Sequence, residues 1–494
     1  MQRRMMRRLS PPARAAAAIV VIAVAFRLVF AGFTGLGIDE SYMVAASDRF
    51  DWSYFDHPLA AWWLELASRR LFGGDAPIVV RLPFVALSAL SSWLMYRLTA
   101  RLFGGRAAFW AVAAYSVSPV FSLAFGCWVL PDGPLDAALL AAVYALCRAA
   151  GVGEGAPAPR WWLAAGLFAG LALLSKYNAA LTLAGAGVFV LTDAAARRQL
   201  QRWEPWAALA LTAAMFTPVI AWNAQHGWQS FAYQGGRAAG LRLHPLAPLI
   251  ILAGEALFVL PWIWLPQILL LLGALRRGPA ERRSWLLAAL AAPPIVLFAL
   301  VGIWSSTKIL YHWAAPGYLV LFPLLGDFLA RHPGWWRDAV ARASAILLGG
   351  AAMLIAAELQ FAFIPGLDRL FPPGKSPLPQ AVDWNSVRAE IPPGAAVAAL
   401  RWYDAGKLGY ALPGVTVTVF GPAPHEFGIS APPATLIGRN VLLVATPGDA
   451  GAIQKQYAAD FRTLDPAPAL VVVHHGAILA VLPTLLGRDL LKAP

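Results

Sequence analysis

In a chain of 494 residues, 59% hydrophobic and only 13% charged, there is too little polar surface to coat a soluble fold of that size, so most of the chain is expected in lipid. The formal net charge of +13 does not come from one basic patch with interleaved aromatic rings. The cations sit between apolar segments, which excludes a nucleic-acid partner and marks membrane topology instead.

The N-terminal stretch "MQRRMMRRLSPPARAAAAIVVIAVAFRLVFAGF" joins a basic head to an apolar run and has no small-residue cleavage site before Gly35. It reads as a retained membrane anchor. Apolar runs of spanning length lie at roughly 15–36, 79–100, 107–127, 131–150, 161–175, 178–193, 206–222, 246–272, 285–303, 314–330 and 339–362, about eleven helices in all. One set of alternate loops holds Arg3, Arg4, Arg7, Arg8, Arg97, Arg101, Arg106, Arg197, Arg198, Arg276, Arg277, Arg282, Arg283 and Arg331. That set is cytoplasmic by the positive-inside rule, which places Asp39, Glu40, His57 and the loops around His226 and His312 on the far side of the membrane. Cys127 and Cys147 both lie in apolar stretches, so neither a disulfide framework nor a Cys-based metal site is expected.

The character changes near residue 363. "IPGLDRLFPPGKSPLPQAVDW" is Pro-rich, and beyond it short β-type runs ("AAVAAL", "VTVTVF", "NVLLVA", "LVVVHH", "AILAVL") alternate with the helix-like "RWYDAGKLGYAL" and "GDAGAIQKQYAAD". The expected organisation is a transmembrane domain over 1–365 with an amphipathic outer loop at 37–78, a linker over 366–379, and a small extracytoplasmic α/β domain over 380–494.

Polar residues at membrane depth carry the candidate chemistry. Asp39 and Glu40 leave the first helix just ahead of a loop rich in aromatic residues, Tyr42, Trp52, Tyr54, Phe55, Trp62, Trp63 and Phe72. Such a loop suits the membrane surface, and a carboxylate roofed by it can act as a general base; the plainer alternative is a pair of solvated helix-end carboxylates. His57 opens the amphipathic piece "HPLAAWWLELASRRLF", as a structural hydrogen-bonder or a donor to phosphate. Lys176, with no acidic residue nearby in sequence, either snorkels or meets an anion, and Arg81 has the same two options. Two cations on the face of the carboxylates suit a lipid phosphate. Asp132 opens a helix and Asp136 follows one turn on; each is a cap or internal hydrogen-bonder, or a cavity residue. Trp228, Tyr311 and His312 suit a sugar, or an interfacial belt. The motifs GxxxxGK[ST], GxGxxG after a strand, GxSxG and HExxH are missing, so a nucleotide donor is not indicated.

Seven stretches, "GIDESYMVAAS", "YFDHPLAAWW", "VVRLPF", "LPDGPLDAAL", "GLALLSKYNAAL", "HGWQSFAYQ" and "YHWAAPGYL", occur in this order. Together they resemble bacterial glycosyltransferase family 39 and its relatives of the GT-C class, the protein O-mannosyltransferase-like and lipid A aminoarabinose or galacturonic acid transferases. The resemblance implies a polytopic α-helical GT-C fold and inverting transfer of a sugar from a polyprenyl-phosphate donor. The implied acceptor is an envelope glycolipid such as lipid A or its core, or a protein, and no metal or other cofactor is implied. It implies Asp39 as catalytic base with Glu40 in support. Lys176, His57 and Arg81 are implied at the donor phosphate, and Asp132, Asp136, Trp228, Tyr311 and His312 are assigned to the acceptor or sugar. Two readings compete: a lipid or solute transporter, for which Arg27 and Glu255 inside apolar helices could pair, and an assembly protein without catalysis.

Overall fold

The computed structural model describes residues 10–494 apart from Leu241, Pro365, 373–375 and 446–447. The basic head at Arg3, Arg4, Arg7 and Arg8, and part of the expected linker, lie outside the described residues. Two compact units emerge. One comprises residues up to Leu28, His57–Ala61 and Leu82–Gly350; the other comprises Val29–Asp56, Trp62–Arg81 and Ala351–Pro494. The boundaries expected at 365 and 379 are not edges of these units, because the segment bearing Asp39 groups with the C-terminal tail.

Among the described residues, six helices are long and apolar enough to span a bilayer, or up to ten if each of four bent helix pairs counts as one span. Adding the shorter apolar helix Trp161–Ser175, these elements take up the eleven apolar runs in the same order, and the protein is a multi-pass membrane protein. The first is α1 (Pro11–Phe33), followed by α2 (Ile38–Ala46), α3 (Ala60–Phe72) and α4 (Pro77–Phe103).

In the first unit the sharpest bend has a local cause. Helices Ala247–Val259 and Pro261–Ala280 meet at 119°, where Leu260 adopts φ 87° and Pro261 offers no N–H to continue the ladder. The Val259 carbonyl left over is bonded by the Ser118 hydroxyl at 3.1 Å. Small residues let the helices approach closely. A Cβ at Gly170 would meet Met215 Sδ at 2.5 Å, and one at Gly326 would meet Ala111 at 2.8 Å.

In the second unit five strands form a sheet in the order β2-β1-β3-β5-β4. They are β1 (Ala396–Ala399), β2 (Val417–Val419), β3 (Val441–Val444), β4 (Phe461–His474) and β5 (Ala477–Leu490). Strands β1, β2 and β3 run parallel, and β5 is antiparallel to β3 and β4. Strands β4 and β5 extend well beyond the apolar cores legible in sequence. Pro466 and Pro468 hide the start of β4, yet β4 is the edge strand, where a missing N–H is tolerated. His475 and Gly476, at φ 47° and 78°, close the hairpin with the two positive-φ residues that match strand twist. The helix Trp402–Ala411 packs on α2. A Cβ at Gly406 would lie 2.7 Å from Tyr42 Cα, and one at Gly409 would lie 2.7 Å from Ala45 Cβ.

Candidate active site

Within the second unit, the turn from α1 into α2 carries the carboxylate pair. Consecutive residues at a helix start point about 100° apart, so one of the pair turns inward and the other outward. Asp39 is exposed, whereas Glu40 is buried. Glu40 Oε2 accepts from the Gly37 amide at 2.9 Å, tying down one of the orphan N–H groups at the helix start. Arg81, only 1% exposed, donates through Nε to Glu40 Oε1 at 2.7 Å and through Nη2 to Oε2 at 2.6 Å. Its remaining donors reach the Ala31 carbonyl at 3.1 Å, the Thr34 carbonyl at 2.9 Å and the Gly35 carbonyl at 2.7 Å. The expectation that Arg81 binds phosphate is therefore corrected: the guanidinium fork is committed to Glu40 and the end of α1, and an incoming phosphate would have to break those bonds.

The aromatic loop also departs from expectation. Trp52 and Phe72 are exposed, as a surface-lying segment requires. Tyr42, Tyr54 and Trp62 are buried instead, Tyr54 stacked on Trp62 at 4.4 Å between centroids and Tyr42 edge-on to Trp402 at 4.9 Å. Tyr42 donates to Asp56, whose other oxygen meets His425 Nδ1 at 2.6 Å, and the Glu426 amide donates to the Tyr42 hydroxyl at 2.8 Å. Burial pushes the Glu426 carboxyl up to about 8, although the Phe55 amide donating to it at 2.9 Å favours the charged form. His425 and Glu426 carry no sequence signal, since each depends on partners some 370 residues away, His425 on Asp56 and Glu426 on Phe55.

In the first unit, Lys176 meets the carboxylate that sequence proximity could not supply. Its ammonium donates to Asp132 Oδ1 at 2.9 Å and Oδ2 at 2.8 Å, with Asp132 only 1% exposed. Lys176 sits where the helix Trp161–Ser175 stops, and Asp132 opens the helix Asp132–Ala150, so two helix ends present opposite charges to one another. Of the two alternatives the sequence left open, snorkelling or meeting an anion, the structure shows a buried ion pair, in which Asp132 takes two of the ammonium's three donors. His312 shares the electrostatic neighbourhood of Lys176, Asp132 and Arg237. Asp136, one turn below Asp132, is buried, and its two oxygens meet no hydrogen-bond donor among the described residues. Tyr311 lines a cavity of about 200 Å³ with His244, Ser306 and Lys308. Trp228 is 48% exposed at φ 61°, and His57 is half-buried ahead of Pro58. The first unit thus brings Lys176, Asp132 and His312 together, with Asp136 on the same helix.

Arg27 and Glu255 do not pair. Arg27 Nε donates to the Ser122 carbonyl at 2.6 Å, while Glu255 accepts from the Tyr318 hydroxyl at 2.5 Å. The best sequence support for a transport reading is lost with that pair.

Comparison with known proteins adds to this geometry. Residues 56–222 match the family described as dolichyl-phosphate-mannose-protein mannosyltransferase. The match includes His57, Arg81, Asp132 and Lys176 and stops short of Asp39. A lipid A galacturonosyltransferase, RgtD from Rhizobium johnstonii, is 25% identical over 307 residues; the alignment takes in 60% of this chain and spans 61% of the relative's length. ArnT from Cupriavidus metallidurans in the apo state superposes with a TM-score of 0.65 at 16% identity, over 96% of this chain and 98% of that one. The same protein bound to undecaprenyl phosphate gives 0.61 at 17% identity, over 95% and 97%. The chain therefore has the GT-C fold of ArnT along nearly its whole length, with similarity to the dolichyl-phosphate-mannose-protein mannosyltransferase family over residues 56–222.

Proposed function

We propose that this protein is an inverting membrane glycosyltransferase that moves a sugar from a polyprenyl-phosphate donor to an extracytoplasmic acceptor. The acceptor class is an envelope glycoconjugate, lipid A or its core foremost. The observation that carries the reading is the near full-length fold correspondence with ArnT, a protein also seen with undecaprenyl phosphate bound. The similarity to a lipid A galacturonosyltransferase supports the acceptor class.

Asp39 is the base. It takes the proton of the acceptor hydroxyl or amine, the acceptor atom forms a bond to the anomeric carbon from the face opposite the phosphate, and the bond from that carbon to the phosphate oxygen breaks. The electron pair leaves with the polyprenyl phosphate, and the remaining donor of the Lys176 ammonium, with His57, offsets that charge. Asp132 holds Lys176 ready, and Asp136, Trp228, Tyr311 and His312 face the sugar or the acceptor. No metal is given a role. The N-terminus is cytoplasmic, the tail beyond 380 is extracytoplasmic, and the membrane is the bacterial inner membrane.

The test is mass spectrometry of envelope glycolipids and glycoproteins from cells lacking the protein, complemented with wild type or Asp39→Asn. One sugar mass should vanish on deletion and return only with wild type. Restoration by both versions would remove Asp39 from the role of base, and no missing sugar mass would overturn the transferase reading.

A further inference from the structure

The C-terminal α/β domain has no role in the scheme above, yet its side chains grip the backbone three residues ahead of Asp39. Both hydrogen-bonding groups of Leu36 are held by that domain. The Leu36 amide donates to Asp383 Oδ1 at 3.0 Å, and the Leu36 carbonyl accepts from the Lys407 ammonium. Lys407 is 1% exposed and donates a second bond, to the Val382 carbonyl at 3.0 Å. A Cβ at Gly35 would lie 2.9 Å from Asp383 Oδ1 and 3.1 Å from its amide nitrogen, so the domain's backbone lies against this turn.

Residues 34 to 37 are thus held from two sides. Arg81 takes the Thr34 and Gly35 carbonyls, and Glu40 takes the Gly37 amide. Asp383 takes the Leu36 amide, and Lys407 shares the Leu36 carbonyl with the Ser41 hydroxyl, which donates to it at 3.4 Å. Burying a lysine in this way is costly, and burial lowers its ammonium to about 8 against the raising influence of Asp383 and Glu40. A merely structural tie between turn and domain could use apolar packing. A charged donor shared between the Leu36 and Val382 carbonyls fixes direction as well as distance.

We propose that Asp383 and Lys407 are positioning residues for the reaction: they fix the Leu36–Glu40 backbone and thereby the direction in which the Asp39 carboxylate projects. The catalytic turn is complete only when the C-terminal domain is docked on it. This inference rests on the transferase reading for its activity arm and stands alone for its structural arm. Misplacement of a reacting group by about 1 Å can cost about 100-fold in rate, so the effect belongs in turnover rather than in donor affinity.

The experiment uses the full-length protein in lipid nanodiscs and in complemented cells. Amide hydrogen exchange over residues 36–40 is compared in wild type, Asp383→Ala, Lys407→Met and Lys407→Arg. Undecaprenyl phosphate affinity and sugar addition to the envelope are measured on the same set. Asp383→Ala and Lys407→Met should each speed exchange at 36–40 and lower sugar addition about 10- to 100-fold, with undecaprenyl phosphate affinity changed less than about twofold. Lys407→Arg, which keeps a cationic donor, should recover part of the rate. Unchanged exchange in both disruptive variants overturns the inference whatever the activity. Faster exchange with full sugar addition overturns it as well, as does a loss of undecaprenyl phosphate affinity that accounts for the lost rate. Should wild type itself add no sugar, the transferase reading falls by that result, and the exchange arm still decides whether the domain holds the turn.

Discussion

Arg81 and Glu40 form a two-bond ion pair, at 2.7 Å and 2.6 Å, in which neither side chain is more than 3% exposed. Removing one partner of such a pair leaves a buried charge with nothing to face, a loss of about 3–5 kcal/mol. Arg81→Ala should therefore lower the melting temperature sharply. Arg81→Lys keeps the charge but has no fork to reach Glu40 and the Thr34 and Gly35 carbonyls together. It should remain folded and lose at least about tenfold in sugar addition. Thermal melts in detergent, read beside mass spectrometry of the envelope, check both.

The Lys176–Asp132 pair separates structural from chemical roles. Asp132→Asn and Lys176→Met each strand one charge and should each destabilise the protein, by about 3–5 kcal/mol at most. The double variant removes both charges and should recover much of that loss, because coupled neighbours are not additive. On the proposed mechanism activity should not recover, since the double variant lacks the Lys176 ammonium assigned to the leaving phosphate. A double variant that transfers sugar would remove Lys176 from the mechanism.

The Glu426 carboxyl, pushed up to about 8 by burial, makes stability depend on pH. Its pKa in the fold is above that of the unfolded chain, so its contribution is fully present below about 4.5 and is lost as pH rises through about 8. Glu426→Gln keeps an oxygen for the Phe55 amide and cannot ionise. Melting temperatures measured from pH 5 to pH 9 should fall less steeply for Glu426→Gln than for wild type. Equal slopes would show that this carboxyl does not govern the alkaline limb.

Chelation tests the assignment of the leaving-group charge to side chains. If Lys176 and His57 supply the positive charge, as the proposed mechanism assigns, sugar transfer by membranes washed with EDTA should stay within about twofold of untreated membranes. A loss restored by a divalent cation would transfer that role to a metal.

The polytopic helical character was legible from the sequence because lipid demands long apolar runs, a constraint written locally along the chain. The β cores "AAVAAL", "VTVTVF" and "NVLLVA" were legible for a similar reason, as short apolar runs between turn residues. Strand β4 was only half legible, since its prolines forbid a central strand and only the tertiary structure puts it at the edge. Asp39, Glu40, Asp132 and Lys176 could be picked out singly, because ionisable groups stand out against hydrocarbon.

What the sequence could not decide is who faces whom. Lys176 finds Asp132 across 44 residues, and Leu36 finds Asp383 across 347 and Lys407 across 371. Arg81 has the chemistry of a phosphate ligand, and only the fold commits it to Glu40 and three carbonyls. Periodicity and hydropathy are properties of neighbours along the chain, whereas a hydrogen bond requires donor and acceptor within about 3 Å. Over such separations only the packed tertiary structure supplies that distance.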